Sequence, residues 1–156
     1  MSHERKTRLR RVVDLRTREF ERSVQALNMA RQAEEQALLV VEQARKKAEN
    51  ALKSQQELAL VGTSAIDWAD MNNWLLSQQR KAEVASQKRA AASHAVVEAR
   101  GKVKGAQTDL NRIETLIERM VDEERTTRDR MARKLDDEVA ARQSAEQRKK
   151  IRTGEP

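Results

Sequence analysis

The residues whose types could do chemistry are few: two histidines, some adjacent carboxylates and a basic cluster near the N-terminus. Metal binding and acid–base catalysis need such groups to converge on one point. His3 and His94 lie far apart in sequence, and no histidine or carboxylate is expected at a plausible ligand spacing around either. Asp122-Glu123 and Asp136-Asp137 could serve as general acids or ligands, but on a solvated helix they read more plainly as surface charge. The sequence holds no glycine loop to cradle a phosphate and no nucleophile elbow. With no cysteine at all there is neither a disulfide framework nor a thiolate site. The expectation is a non-enzymatic protein without cofactor or metal. The basic cluster Arg5, Lys6, Arg8, Arg10, Arg11, Arg16, Arg18 raises a nucleic-acid-binding protein as an alternative, beside a generic scaffold. Glu4, Asp14, Glu19 and Glu21 interrupt it, and no base-stacking aromatics accompany it.

The elements that position these groups are long helices. Of 156 residues 37% are charged, 38% apolar and only 2% aromatic, a balance typical of coiled coils. From Trp68 a seam alternates steps of three and four: Trp68, Met71, Leu75, Gln78, Ala82, Ala85, Arg89, Ala92, Val96, Ala99, Val103, Ala106, Leu110, Ile113, Ile117, Met120. The register breaks only at Gln78 and Arg89, and it continues through Glu124 and Thr127 to Met131. Spacing of this kind keeps one side of a helix against a partner helix. A first helix carries a matching seam: Leu9, Val13, Arg16, Phe20, Ser23, Leu27, Ala30, Glu34, Ala37, Val41, Ala44, Ala48, Ala51, Gln55, Leu58. A helix of roughly 80 residues would be about 120 Å long, so a rod is expected and not a layered core.

One stretch breaks the helical pattern. Gly62 can take the left-handed conformation that ends a helix, and Ser64 can cap the next, with Asp67 three residues on as a partial capping box. A short loop between two matched helices predicts an antiparallel hairpin. The expected fold is all-α: a long antiparallel two-helix coiled-coil hairpin, one domain over residues 1–156. Its helices would cover 5–60 and 66–150, with a turn at 61–65. Folding about residue 63 pairs position i with about 126 − i, which places Leu58 by Trp68, Val41 by Ala85, Leu27 by Ala99 and Leu9 by Ile117. Residues beyond about 123 then overhang as a charged C-terminal helix supported by i,i+4 pairs.

Trp68 fits the seam beside the turn. Trp74 falls just off it, between Asn73 and Leu75-Leu76, and an exposed apolar patch there is a protein-binding candidate as well as a packing one. Gly101 and Gly105, one turn apart on the outward side, read as helix weakening or as a close-contact patch. A formal net charge of +7 suits an acidic partner. The charged start suggests no signal peptide, and no apolar run is long enough to span a membrane, so a cytoplasmic location is expected.

Three stretches together resemble the FliJ family of flagellar export proteins and the related YscO-type stalk proteins of injectisomes. They are the opening Arg8-Leu9-Arg10-Arg11-Val12-Val13-Asp14-Leu15-Arg16, the segment Ile66-Asp67-Trp68 to Trp74-Leu75-Leu76, and the tail Glu123-Glu124-Arg125 to Leu135-Asp136-Asp137-Glu138-Val139-Ala140. The resemblance implies a stalk of a type III export apparatus, cytoplasmic and attached to the inner membrane only through partners. Its open ends would enter a hexameric export ATPase, with Arg8, Arg10, Arg11, Arg16, Arg125, Arg128 and Arg133 as contacts. Its tip would bind the cytoplasmic domain of the export-gate membrane protein through Trp74, Leu75 and Leu76. Export chaperones are further possible partners, and no nucleic acid is expected. Gln78, Lys81 and Ala85 depart from the family's pattern at the neighbouring gate contacts.

Overall fold

A computed structural model describes residues 3–154. Two long helices pack against each other as an all-α hairpin: α1 (His3–Val61, 59 residues) and α2 (Ala65–Thr153, 89 residues). Compact grouping divides the chain into residues 16–108, which contain the turn, and residues 1–15 with 109–156.

The turn follows from three residues. Gly62 adopts φ +80°, and its N–H donates to the Leu58 carbonyl at 3.1 Å, closing α1 with a left-handed cap. Ser64 then starts α2. Its hydroxyl oxygen accepts from the Asp67 N–H at 3.2 Å, while its carbonyl accepts from the Trp68 N–H at 3.0 Å. That satisfies a donor the helix start would otherwise leave open.

Within residues 16–108 the seam is buried in the expected register. Leu27, Val96 and Ala99 form a cluster, with Ala30 and Val103 packed against it. Val41, Ala51, Leu75 and Ala85 are buried further along, Val41 and Ala51 completely. Gln78 is the one polar residue buried with them. Between the helices Gln55 Nε2 donates to Asn72 Oδ1 at 3.1 Å. Alanines at 44, 48, 51, 82, 85 and 99 shorten the side-chain layer, so the helices can approach closely. Arg89, a break in the register, is exposed, as a guanidinium in an alanine seam would lose its hydration unpaired. One seam expectation fails. Trp68 is 38% exposed. It occupies the last layer before the turn, and its large ring has no further layer to cover its outer side.

In the other unit, α1 residues 3–15 lie against α2 from residue 109. Leu9, Val13, Leu110, Ile113, Ile117 and Met120 are half-buried, and none reaches full burial. Lys6 Nζ meets Glu124 Oε2 at 3.2 Å, and Arg128 approaches the same oxygen at 3.9 Å. The pairing therefore ends at Glu124. Every residue from 125 to 154 is exposed. The seam expected through Thr127 to Met131 has nothing to pack on, and Met131 is 63% exposed.

Two pairs of substitutions test this account. Leu27→Ala should cost about 2 kcal/mol, near the low end for a buried leucine because the seam is thin, whereas Leu15→Ala should stay within about 0.5 kcal/mol because Leu15 is already exposed. Urea unfolding measures both, and equal losses would mean the seam is wrongly placed. The glycines give opposite signs. Gly62→Ala forces a side chain into the left-handed region and should destabilise by about 1 kcal/mol. Gly101→Ala, where an added Cβ meets nothing within 4 Å, should stabilise by up to about 1 kcal/mol. Thermal melts separate the two.

Candidate protein-binding surfaces

A pair of helices has one interface and a great deal of outside. What it can do chemically is present side chains in fixed order on α-helical faces, and three such surfaces stand out.

The first is the charged end. Arg8, Arg10 and Arg11 on α1, and Arg125, Arg128 and Arg133 on α2, are all exposed. Carboxylates are interspersed. One shallow groove between the helices has Arg5, Lys6, Arg119 and Arg128 beside Glu123 and Glu124, and another has Arg10 beside Asp14, Glu114 and Glu118. The surface is of mixed sign, basic on balance. Arg16 does not join the exposed set. It sits on the seam, half-buried, with Nη1 donating to Glu19 Oε2 at 3.0 Å. Its guanidinium is thus paired along its own helix and still partly exposed.

The second surface is the α2 stretch from 125 to 153. It is helical along its length, exposed all round, and carries Met131, Leu135 and Val139 on successive turns. Spacing of four residues sets these three on one side of the helix.

The third lies near the turn. Trp74 is 46% exposed and Leu76 43%, while Leu75 between them is buried at 5%. The two exposed side chains can meet a partner directly. Leu75 instead fills the seam and holds that segment of α2 in place. Sequence reasoning missed what surrounds Trp74. A groove of about 540 Å³ runs past it, bordered by Val40, Ala44 and Lys47 of α1 and by Gln78, Lys81 and Ala85 of α2. A second, of about 590 Å³, shares Val40, Lys81 and Ala85 and adds Leu76, Arg80, Val84 and Lys88. The folding rule of 126 − i would have found this, since it sets Val40 and Lys47 across from residues 86 and 79.

Among the described residues no group of three histidines or carboxylates is placed to hold a metal ion. His94 does have an acidic neighbour one turn on, contrary to the sequence reading: its Nε2 lies 3.1 Å from Glu98 Oε1, and both are exposed. A Cβ added at Gly101 or Gly105 would meet nothing within 4 Å. No helix among the described residues is long and apolar enough to cross a membrane.

Comparison with known proteins accords with a helical export component. No curated protein and no solved structure matches the chain. The family model described as "Flagellar FliJ protein" matches residues 5–149, which takes in both helices and the turn. The chain thus belongs to the flagellar FliJ family and is an export protein of the flagellar type.

Proposed function

We propose that this protein is the coiled-coil stalk of a flagellar export apparatus, entering a hexameric export ATPase with its open ends and binding the cytoplasmic domain of the export gate near its turn. It acts in the cytoplasm without catalysing a reaction and meets the inner membrane through its partners, with export chaperones as further contacts.

The observation that carries this reading is the exposed helix from 125 to 153. A helix that buries no seam gains little from folding alone, since most helical stability in proteins comes from tertiary packing. At 1.5 Å per residue it projects roughly 40 Å. A slender helix with Met131, Leu135 and Val139 on one side and charges around the rest suits a narrow protein channel. Arg8, Arg10, Arg11, Arg125, Arg128 and Arg133 give the same unit a surplus of cations, which would steer it into an opening lined by acidic groups. Trp74 and Leu76, half-exposed on the other unit, supply the apolar anchor that a protein partner would cover.

Two experiments test the two halves. Reversing Arg8, Arg10 and Arg11 to Glu together, or ending the chain after Asp122, should abolish stimulation of the cognate ATPase while leaving gate binding in place. Retained stimulation in both variants would defeat the ATPase assignment. Trp74→Ala should weaken binding of the gate domain by roughly 2 kcal/mol with helicity unchanged. Isothermal titration reads this, and unchanged affinity would remove Trp74 from the interface. Tight, salt-sensitive DNA binding at physiological ionic strength would point to nucleic acid instead.

A further inference from the structure

The two grooves around Trp74 differ in charge from the other grooves between the helices. At the open end, arginines alternate with glutamates and an aspartate. Along the grooves near the turn the charged residues are Lys47, Arg80, Lys81 and Lys88, with no carboxylate among the side chains that line them. The chain as a whole carries 25 acidic residues, so a lining free of them distinguishes these grooves from the others between the helices. Its apolar part is Val40, Trp74, Leu76 and Val84, each about half-exposed.

We infer that this surface takes an acidic amphipathic segment of the partner, with apolar side chains laid along Val40, Trp74, Leu76 and Val84 and carboxylates paired with Lys47, Arg80, Lys81 and Lys88. The inference rests on the reading of Trp74 as the gate anchor and states the chemistry of what binds there. Charge decides between occupants. A second copy of this chain would bring its own four cations to the same surface, and like charges brought together across an interface oppose association. A segment with glutamates or aspartates flanking Leu, Ile or Val would complete both parts at once. A helix laid in a groove between two helices is an established mode of peptide recognition.

The probe is a designed helical peptide with leucines on one side and glutamates on the other, alongside two counterparts: lysine for every glutamate, and serine for every leucine. Each is titrated into the full chain carrying Trp68→Phe, so that emission reports Trp74. The acidic peptide should bind and shift that emission, and both counterparts should bind at least about tenfold more weakly. Lys47→Glu with Lys81→Glu should weaken the acidic peptide about tenfold and improve the lysine peptide, with far-UV circular dichroism unchanged because both lysines are exposed. Equal binding of acidic and basic peptides, or indifference to the reversals, overturns the inference. So does concentration-dependent dimerisation that Trp74→Ala removes, which would assign the surface to a second copy. The gate domain is titrated in parallel. If it binds and ignores the lysine reversals, the groove inference falls and the gate assignment stands. If the acidic peptide binds through the grooves and the gate domain does not, the gate assignment falls and the groove belongs to another acidic partner.

Discussion

Everything in this molecule depends on one thin contact, the seam where α1 and α2 meet. Its inner layers are small: Ala51, Ala85 and Ala99 stand beside Leu27, Val41, Leu75 and Val96. Alanine contributes little buried area but lets two helices come close and costs no side-chain entropy. Stability is therefore spread along the helices and concentrated nowhere. It also rests on helix propensity, which Ala, Glu, Gln, Lys and Arg supply in quantity. The fully buried residues all fall between 16 and 108. In the other unit the seam residues are only half-covered, and an ion pair, Lys6 with Glu124, marks where pairing stops.

The same geometry explains the exposed apolar residues. Two helices can bury only the side chains that face each other. Anything one position off the seam has a neighbour on one flank and water on the other. Val40, Trp74 and Leu76 are in that situation, and no rearrangement of a two-helix pair would cover them. A third helix from elsewhere would. Exposure here is thus a consequence of topology before it is a sign of function, and the absence of carboxylates along the lining is what gives it direction.

Much of this was legible in the sequence because a coiled coil writes its packing as a period. The alternation of three and four placed every seam residue of α1 from Leu9 to Leu58 and most of α2. Gly62 and Ser64 marked the turn through their own backbone chemistry. What the period could not convey was how far burial extends. Trp68 and Met131 obey the spacing yet stay exposed, one for want of a layer beyond it and the other for want of a partner helix. Arg16 obeys it too, half-buried on the seam, with its guanidinium reaching out to Glu19 on the exposed side of the same helix. The cation-lined grooves were harder to see because they join residues from α1 and α2 far apart in sequence, an arrangement that emerges once the two helices are set side by side.

The helix beyond Glu124 poses the remaining energetic question. Its sequence is helical by propensity, with acidic and basic residues a turn apart and a strong basic bias in its last turns at Arg148, Lys149, Lys150 and Arg152. Cations there favour the helix by meeting its C-terminal dipole, at about 0.3–1 kcal/mol each when exposed and less in salt. Propensity and surface pairs of this size hold a single helix only marginally in water. Met131, Leu135 and Val139 add nothing while they face solvent, yet each would contribute on burial, on the order of 1.5–3 kcal/mol when fully covered. The free energy of this segment therefore changes most when something encloses it. A surface that is marginal alone and firm when enclosed ties the order of the helix to whatever covers Met131, Leu135 and Val139.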